Sequence, residues 1–169
     1  CGTGLRRHDT PPSSPSPPLL TEYHNVSRGV QTEFRQGPPM TIELEMLAWT
    51  AVLTLIIWIP YILAHLLNVG PLTALTYKAD GTPLPDWAER AKKAHYNAIE
   101  GLAPFAVLVL VAHAAGVSNE ATQAAAIAYF WLRVAHYIAY AVGIPFGRTL
   151  TFAGTWLSQI CIAYQILFV

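Results

Sequence analysis

Four apolar stretches, each about twenty residues long, dominate this chain and leave few choices of fold. Residues 44–67 read LEMLAWTAVLTLIIWIPYILAHLL, and their uncharged part from 46 to 64 is long enough to cross a bilayer. A span needs about 20 predominantly apolar residues for roughly 30 Å of hydrocarbon. Comparable stretches cover about 90–115, 119–142 and 147–169. A lipid-embedded backbone must satisfy its own hydrogen bonds, so each stretch is expected to be a helix. Composition agrees, since only 12% of residues are charged and 53% are hydrophobic, against about 25% charged in soluble domains. The fold class expected is therefore all-α, a transmembrane four-helix bundle in one domain, residues 40–169.

Residues 1–39 read differently. They hold seven of the thirteen prolines and lack apolar periodicity, so a disordered Pro-rich tail is expected there. They are read as an extension upstream of a native start at Met40. Cys1 and Cys161 lie in a polar tail and an apolar run, which is no disulfide framework. No CxxC zinc pattern occurs, and no metal site is expected. A formal net charge of zero gives no basic footprint for nucleic acid.

Local signals place the helix ends. Pro60 is expected to kink the first span and Pro104 the second. Asp86 and Glu89 after Pro85 have capping-box spacing, which predicts the start of the second helix; Gly116 is its expected stop. Gly143-Ile144-Pro145 should end the third. The short connections near 116–119 and 143–147 make successive helices antiparallel neighbours. Lys78, Arg90, Lys92 and Lys93 lie around the first connection and Arg148 at the third, whereas residues 116–121 carry no Lys or Arg. The positive-inside rule then puts the loops joining spans one and two and spans three and four in the cytoplasm. Arg6, Arg7, Arg28 and Arg35 in the tail argue the other way. The five tryptophans, Trp49, Trp58, Trp87, Trp131 and Trp156, read as packing and interfacial belt residues.

Polar residues inside spans are functional candidates. Lys93, Asn97 and Glu100 share one face of the second helix at i, i+4 and i+7, as Arg133, His136 and Tyr140 do on the third at i, i+3 and i+7. Arg133 lies about ten residues from the end of its span, roughly 15 Å deep at 1.5 Å per residue. Unpaired there, it costs about 2.5–3.5 kcal/mol. Glu100 is the acid at comparable depth, so an ion pair between Glu100 and Arg133 is expected. It either locks the bundle or joins the chemistry. Asn97 can bind a ligand or bridge helices. His136 and Tyr140 can transfer a proton or simply pack. Arg148 sits in the first turn of the fourth helix, where it and the backbone N–H groups favour an anion such as a thiolate.

Two blocks carry a family resemblance. Glu89-Arg90-Ala91-Lys92-Lys93-Ala94-His95-Tyr96-Asn97-Ala98-Ile99-Glu100 resembles the ER..RAH.N..E signature of the MAPEG family, the membrane-associated proteins in eicosanoid and glutathione metabolism. Arg133-Val134-Ala135-His136-Tyr137-Ile138-Ala139-Tyr140 is similar to the RVAH...Y stretch of its prostaglandin E synthase-like members, and Gly147-Arg148-Thr149 to the arginine that opens their fourth helix. The resemblance covers about residues 41–169 and is nearest to the functionally uncharacterised bacterial branch. It implies a homotrimer in the inner membrane of a bacterium, with glutathione as co-substrate between neighbouring subunits. Arg148 is implied as the catalytic residue that stabilises the thiolate, with Lys93, Asn97, Glu100, His136 and Tyr140 binding the tripeptide. Some positions depart from the pattern: Lys93 stands where arginine is usual, Tyr96 where some members have arginine, and Phe152 where some have tyrosine. The turn before Arg148 is one residue shorter, and no arginine follows span one.

The leading expectation is a glutathione-dependent transferase or peroxidase acting on lipophilic electrophiles dissolved in the membrane. The alternative is a non-catalytic lipid-binding or scaffold protein of the same fold. A third reading, an ion- or proton-moving subunit, would use Glu100, Arg133 and His136. Membrane lipids and lipophilic small molecules are the expected partners.

Overall fold

The computed structural model describes residues 40–76 and 81–169. Within them the order is α1 (Ile42–Ile56), α2 (Ile59–Val69), α3 (Pro71–Ala74), α4 (Asp86–Ala114), α5 (Glu120–Val142) and α6 (Gly147–Phe168). Four segments are long and apolar enough to cross a membrane: Ile42–Val69, Asp86–Ala114, Glu120–Val142 and Gly147–Phe168. The all-helical four-span architecture read from the sequence is the one observed. Tail residues 1–39 and Lys78, used in the sidedness argument, lie outside the described residues.

The first span is two helices rather than one kinked helix. Pro60 lies at the start of α2 and cannot donate to the preceding turn, so the ladder breaks between Ile56 and Ile59. The break is compensated across the bundle, because the Tyr137 hydroxyl donates to the Ile57 carbonyl at 3.0 Å. In lipid, a carbonyl at such a break needs a partner of this kind. Pro104 lies inside α4 without dividing it.

The expected capping box of Asp86 and Glu89 does not form. Pro85 is the N-cap of α4 and supplies no side-chain bond, which leaves Asp86 and Glu89 in the first turn, favourable there for their charge. The capping box is at α5, where Asn119 Oδ1 accepts from the Ala121 and Thr122 amides at 3.0 Å and the Thr122 hydroxyl accepts from the Asn119 amide at 2.9 Å. Gly143 ends α5 in the left-handed region, at φ 86°.

Packing rests on small residues and a few aromatics. Ala88, Ala91, Ala94 and Ala98 form a buried stripe along α4, the small surface that lets membrane helices approach closely. Phe105, Val109, Ala125, Ala126, Tyr129 and Ile162 make the main core, with the Phe105 and Tyr129 rings stacked at 3.8 Å. Trp49, Leu55, Val107, Trp131 and Leu157 point outward and are more than half exposed, as a lipid-facing surface requires.

One end of the bundle is tied by a carboxylate the sequence reading passed over. Glu43, in the first turn of α1, is 2% exposed. It accepts from the Thr122 hydroxyl and from the Ser118 hydroxyl at 3.0 Å. Its charge also faces the N-terminal turn of α5, where an anion is favoured.

Candidate functional site

At the opposite end, α4 begins and α5 finishes. The Arg90 Nε donates to the Ala141 carbonyl at 3.1 Å, which fixes those two helix ends side by side. The site starts there and runs inward along α4, α5 and α6.

The deepest element is Arg133, 4% exposed on α5. Its Nη1 donates to Asn97 Oδ1 at 2.8 Å and to the Asn97 carbonyl at 3.3 Å. Its Nε donates to the Tyr129 hydroxyl at 3.1 Å, and that hydroxyl donates to the Gly101 carbonyl at 2.7 Å. The guanidinium also lies 5.1 Å from the Tyr129 ring centre, within cation–π range. Such closeness to α4 depends on Gly101, since a Cβ there would overlap Arg133 Nη2 and sit 2.5 Å from its Cζ.

These contacts correct the expected ion pair. Arg133 is hydrogen-bonded by the side-chain amide and backbone carbonyl of Asn97 and by Tyr129, and not paired with Glu100. The missing side chain at Gly101 draws the guanidinium against the α4 backbone, while Glu100 faces outward and is exposed. Glu100 and Arg133 do line one cavity of about 270 Å³, together with Asn97, Gly101, Phe152 and Trp156. Tyr129 and Gly101 are the site residues that sequence reasoning missed. Tyr129 precedes Arg133 by one helical turn, a spacing that could have marked it.

His136 is 3% exposed. Its Nδ1 lies 3.2 Å from the Arg148 carbonyl and 3.0 Å from Thr151 Oγ1. Thr151 donates its own proton to the Gly147 carbonyl at 2.7 Å. Both neighbours of Nδ1 are thus acceptors, which assigns the proton of the neutral ring to Nδ1. Nε2 then carries a lone pair, and it is buried without a hydrogen-bond partner.

Tyr140 connects His136 to Arg148. Its ring meets His136 edge-on at 5.7 Å, and the Arg148 guanidinium lies 5.1 Å from its centre. A cavity of about 330 Å³ is lined by Asn97, His136, Tyr140, Arg148, Thr149 and Phe152. Asn97 and Phe152 border the deeper cavity as well, so the two are neighbours on one face. Of the expected site residues, Asn97, Glu100, His136, Tyr140 and Arg148 border these two cavities. Lys93 is exposed and borders neither, although it shares a helix face with Asn97 and Glu100.

A four-span bundle with a cationic, hydrogen-bonding cavity toward one end of its helices defines a class: an integral membrane protein with polar residues gathered between its second, third and fourth spans. Residues 46–168 match the family model described as the MAPEG family, and the chain belongs to that family. No curated protein and no solved structure matches it. The family includes glutathione transferases and peroxidases.

Proposed function

We propose that this MAPEG protein is a glutathione-dependent transferase or peroxidase acting on lipophilic electrophiles that reach it from the bilayer. One observation carries the reading. Arg148, Tyr140, His136 and Asn97, which come from three helices, line a single cavity.

The residues suit a thiol tripeptide. The Arg148 guanidinium and the first turn of α6 favour the thiolate over the thiol. Glu100 is an exposed carboxylate on the adjoining cavity, able to take an ammonium group, and Lys93 on the same face is able to take a carboxylate. The His136 Nε2 lone pair can accept from an N–H or S–H donor. The protein supplies position and electrostatics, and the glutathione sulfur is the nucleophile. Attack on an electrophilic carbon gives a thioether, either by expelling a leaving group that departs with the thiol's proton or by adding across an activated double bond that takes that proton up. With a hydroperoxide, two glutathiones give the disulfide, an alcohol and water.

We place the assembly as a homotrimer in a bacterial inner membrane, with the Arg90 and Arg148 end cytoplasmic, as the lysine and arginine distribution favours.

A second reading, a lipid-binding or scaffold member without thiol activation, is favoured by one specific contact. Asn97 Oδ1 is engaged by Arg133 at 2.8 Å, which ties one of its two lone pairs to the bundle and leaves Asn97 one lone pair and its Nδ2 protons for a ligand. The deciding experiment is glutathione titration of the detergent-purified chain, by calorimetry and thiolate absorbance, with Arg148→Ala in parallel. Binding with a thiolate signal that Arg148→Ala abolishes supports the enzyme. Absence of binding at millimolar glutathione refutes it and leaves the scaffold.

A further inference from the structure

A third cavity, of about 230 Å³, lies on the far side of Tyr140 and Arg148, against the turn between α5 and α6. Arg90, Arg148, Tyr140 and Thr149 contribute its polar walls, Ile144 and Phe146 its apolar ones, and no acidic residue lines it. Arg90 is held in place there. Its Nε is anchored on the Ala141 carbonyl at 3.1 Å, and its guanidinium lies so close to Gly143 that a Cβ would meet Nε at 3.3 Å. Among the described residues its terminal nitrogens have no hydrogen-bond partner. Arg148 is held over the Tyr140 ring, 5.1 Å from its centre.

Two positioned cations that share one wall repel each other, and an anion between them converts that repulsion into attraction. The donors available are two guanidinium groups and two hydroxyls. They suit a phosphoryl group, whose oxygens accept several charge-assisted bonds at once. Beside the cavity, Phe146 is 82% exposed and Leu150 71% exposed. They form an apolar rim next to a cationic hollow at the end of the spans, a shape that accommodates a phosphate with an acyl chain attached.

We propose that this cavity binds the phosphoryl headgroup of an anionic membrane lipid, with its chains lying along Phe146 and Leu150. The cavity shares Tyr140, Arg148 and Thr149 with the one between Asn97 and His136 and differs from it in Arg90 and the α5–α6 turn; lipid binding there does not require that glutathione bind.

The test uses the full chain in mild detergent, titrated with phosphatidylglycerol, with phosphatidylcholine of the same chain length, and with inorganic phosphate. Binding and melting temperature are both read. Phosphatidylglycerol should bind and raise the melting temperature, whereas phosphatidylcholine and inorganic phosphate at equal concentration should not. Arg90→Gln should weaken phosphatidylglycerol binding by about 10–100-fold, the size of one lost charged hydrogen bond. Because Arg90 also anchors the end of α5, Thr149→Val serves as the second variant. It leaves that anchor intact and should weaken binding several-fold.

Equal stabilisation by the two lipids overturns the proposal, as does undiminished phosphatidylglycerol affinity in Thr149→Val together with any folded Arg90→Gln protein. Inorganic phosphate matching phosphatidylglycerol would identify free phosphate as the occupant and reject the lipid. A glutathione titration of the same samples separates this outcome from the fate of the transferase reading.

Discussion

Replacing Gly101 with alanine should destabilise the bundle, although alanine is the better helix former. The new Cβ would overlap Arg133 Nη2 and stand 2.5 Å from Cζ, well inside contact distance. The guanidinium must leave, and it surrenders the bonds to Asn97 Oδ1 and to the Tyr129 hydroxyl. Hydrogen bonds to a charged group contribute about 1.5–3 kcal/mol each, and an arginine without partners in a span costs about 2.5–3.5 kcal/mol. Partial relaxation toward the neighbouring cavity should recover some of this, so the loss is about 3–5 kcal/mol. Against it stands a helix-propensity gain of about 1 kcal/mol for Gly→Ala. The net expectation is destabilisation by about 2–4 kcal/mol, measured by denaturant unfolding in detergent. A double-mutant cycle with Arg133→Met isolates the cause. In the Arg133→Met background the alanine should cost far less, because a flexible thioether can yield where an anchored guanidinium cannot. If Gly101→Ala alone is as stable as the parent or more so, Arg133 does not lie against α4 and the account of the site fails.

Three further outcomes follow from the same contacts. Asn97→Ala should cost about 1.5–3 kcal/mol through the lost charged bond, whereas Glu100→Ala should stay within about 0.5 kcal/mol, as exposed positions do; the reverse order in unfolding would restore the Glu100–Arg133 pair. Glu43→Ala leaves the Ser118 hydroxyl without its acceptor and Thr122 with the Asn119 carbonyl alone, and should destabilise by about 1–3 kcal/mol, with unchanged unfolding refuting a tie between α1 and α5. Cysteines introduced at Thr82 and Ser118 should label from opposite sides of the membrane, Thr82 from the cytoplasm; labelling of Ser118 from the cytoplasm would invert the proposed orientation.

The sequence by itself determined the membrane architecture. Hydrocarbon thickness sets a length, unpaired backbone sets a helix, and the runs around Trp49, Val107, Ala126 and Leu157 meet both demands without reference to one another. It also marked Gly116 and Gly143 as stops, because a helix end that needs positive φ favours glycine. Asn97, His136 and Tyr140 stood out in the sequence as candidates, since polar groups inside a span are costly, and Arg148 did so by its place in the first turn of the fourth helix.

Only the tertiary structure decided which of those groups meet. Charge and depth paired Arg133 with Glu100, but pairing depends on rotation about the helix axis and on how closely two helices approach. Gly101 sets that approach and gives Arg133 to Asn97 and Tyr129. The partner of Ile57 at the Pro60 break was equally out of reach, because Tyr137 lies 80 residues away along the chain. So was the hollow between Arg90 and Arg148. Each arginine alone reads as an ordinary basic flank, and the two converge only because the end of α5 turns back into α6 beside the start of α4.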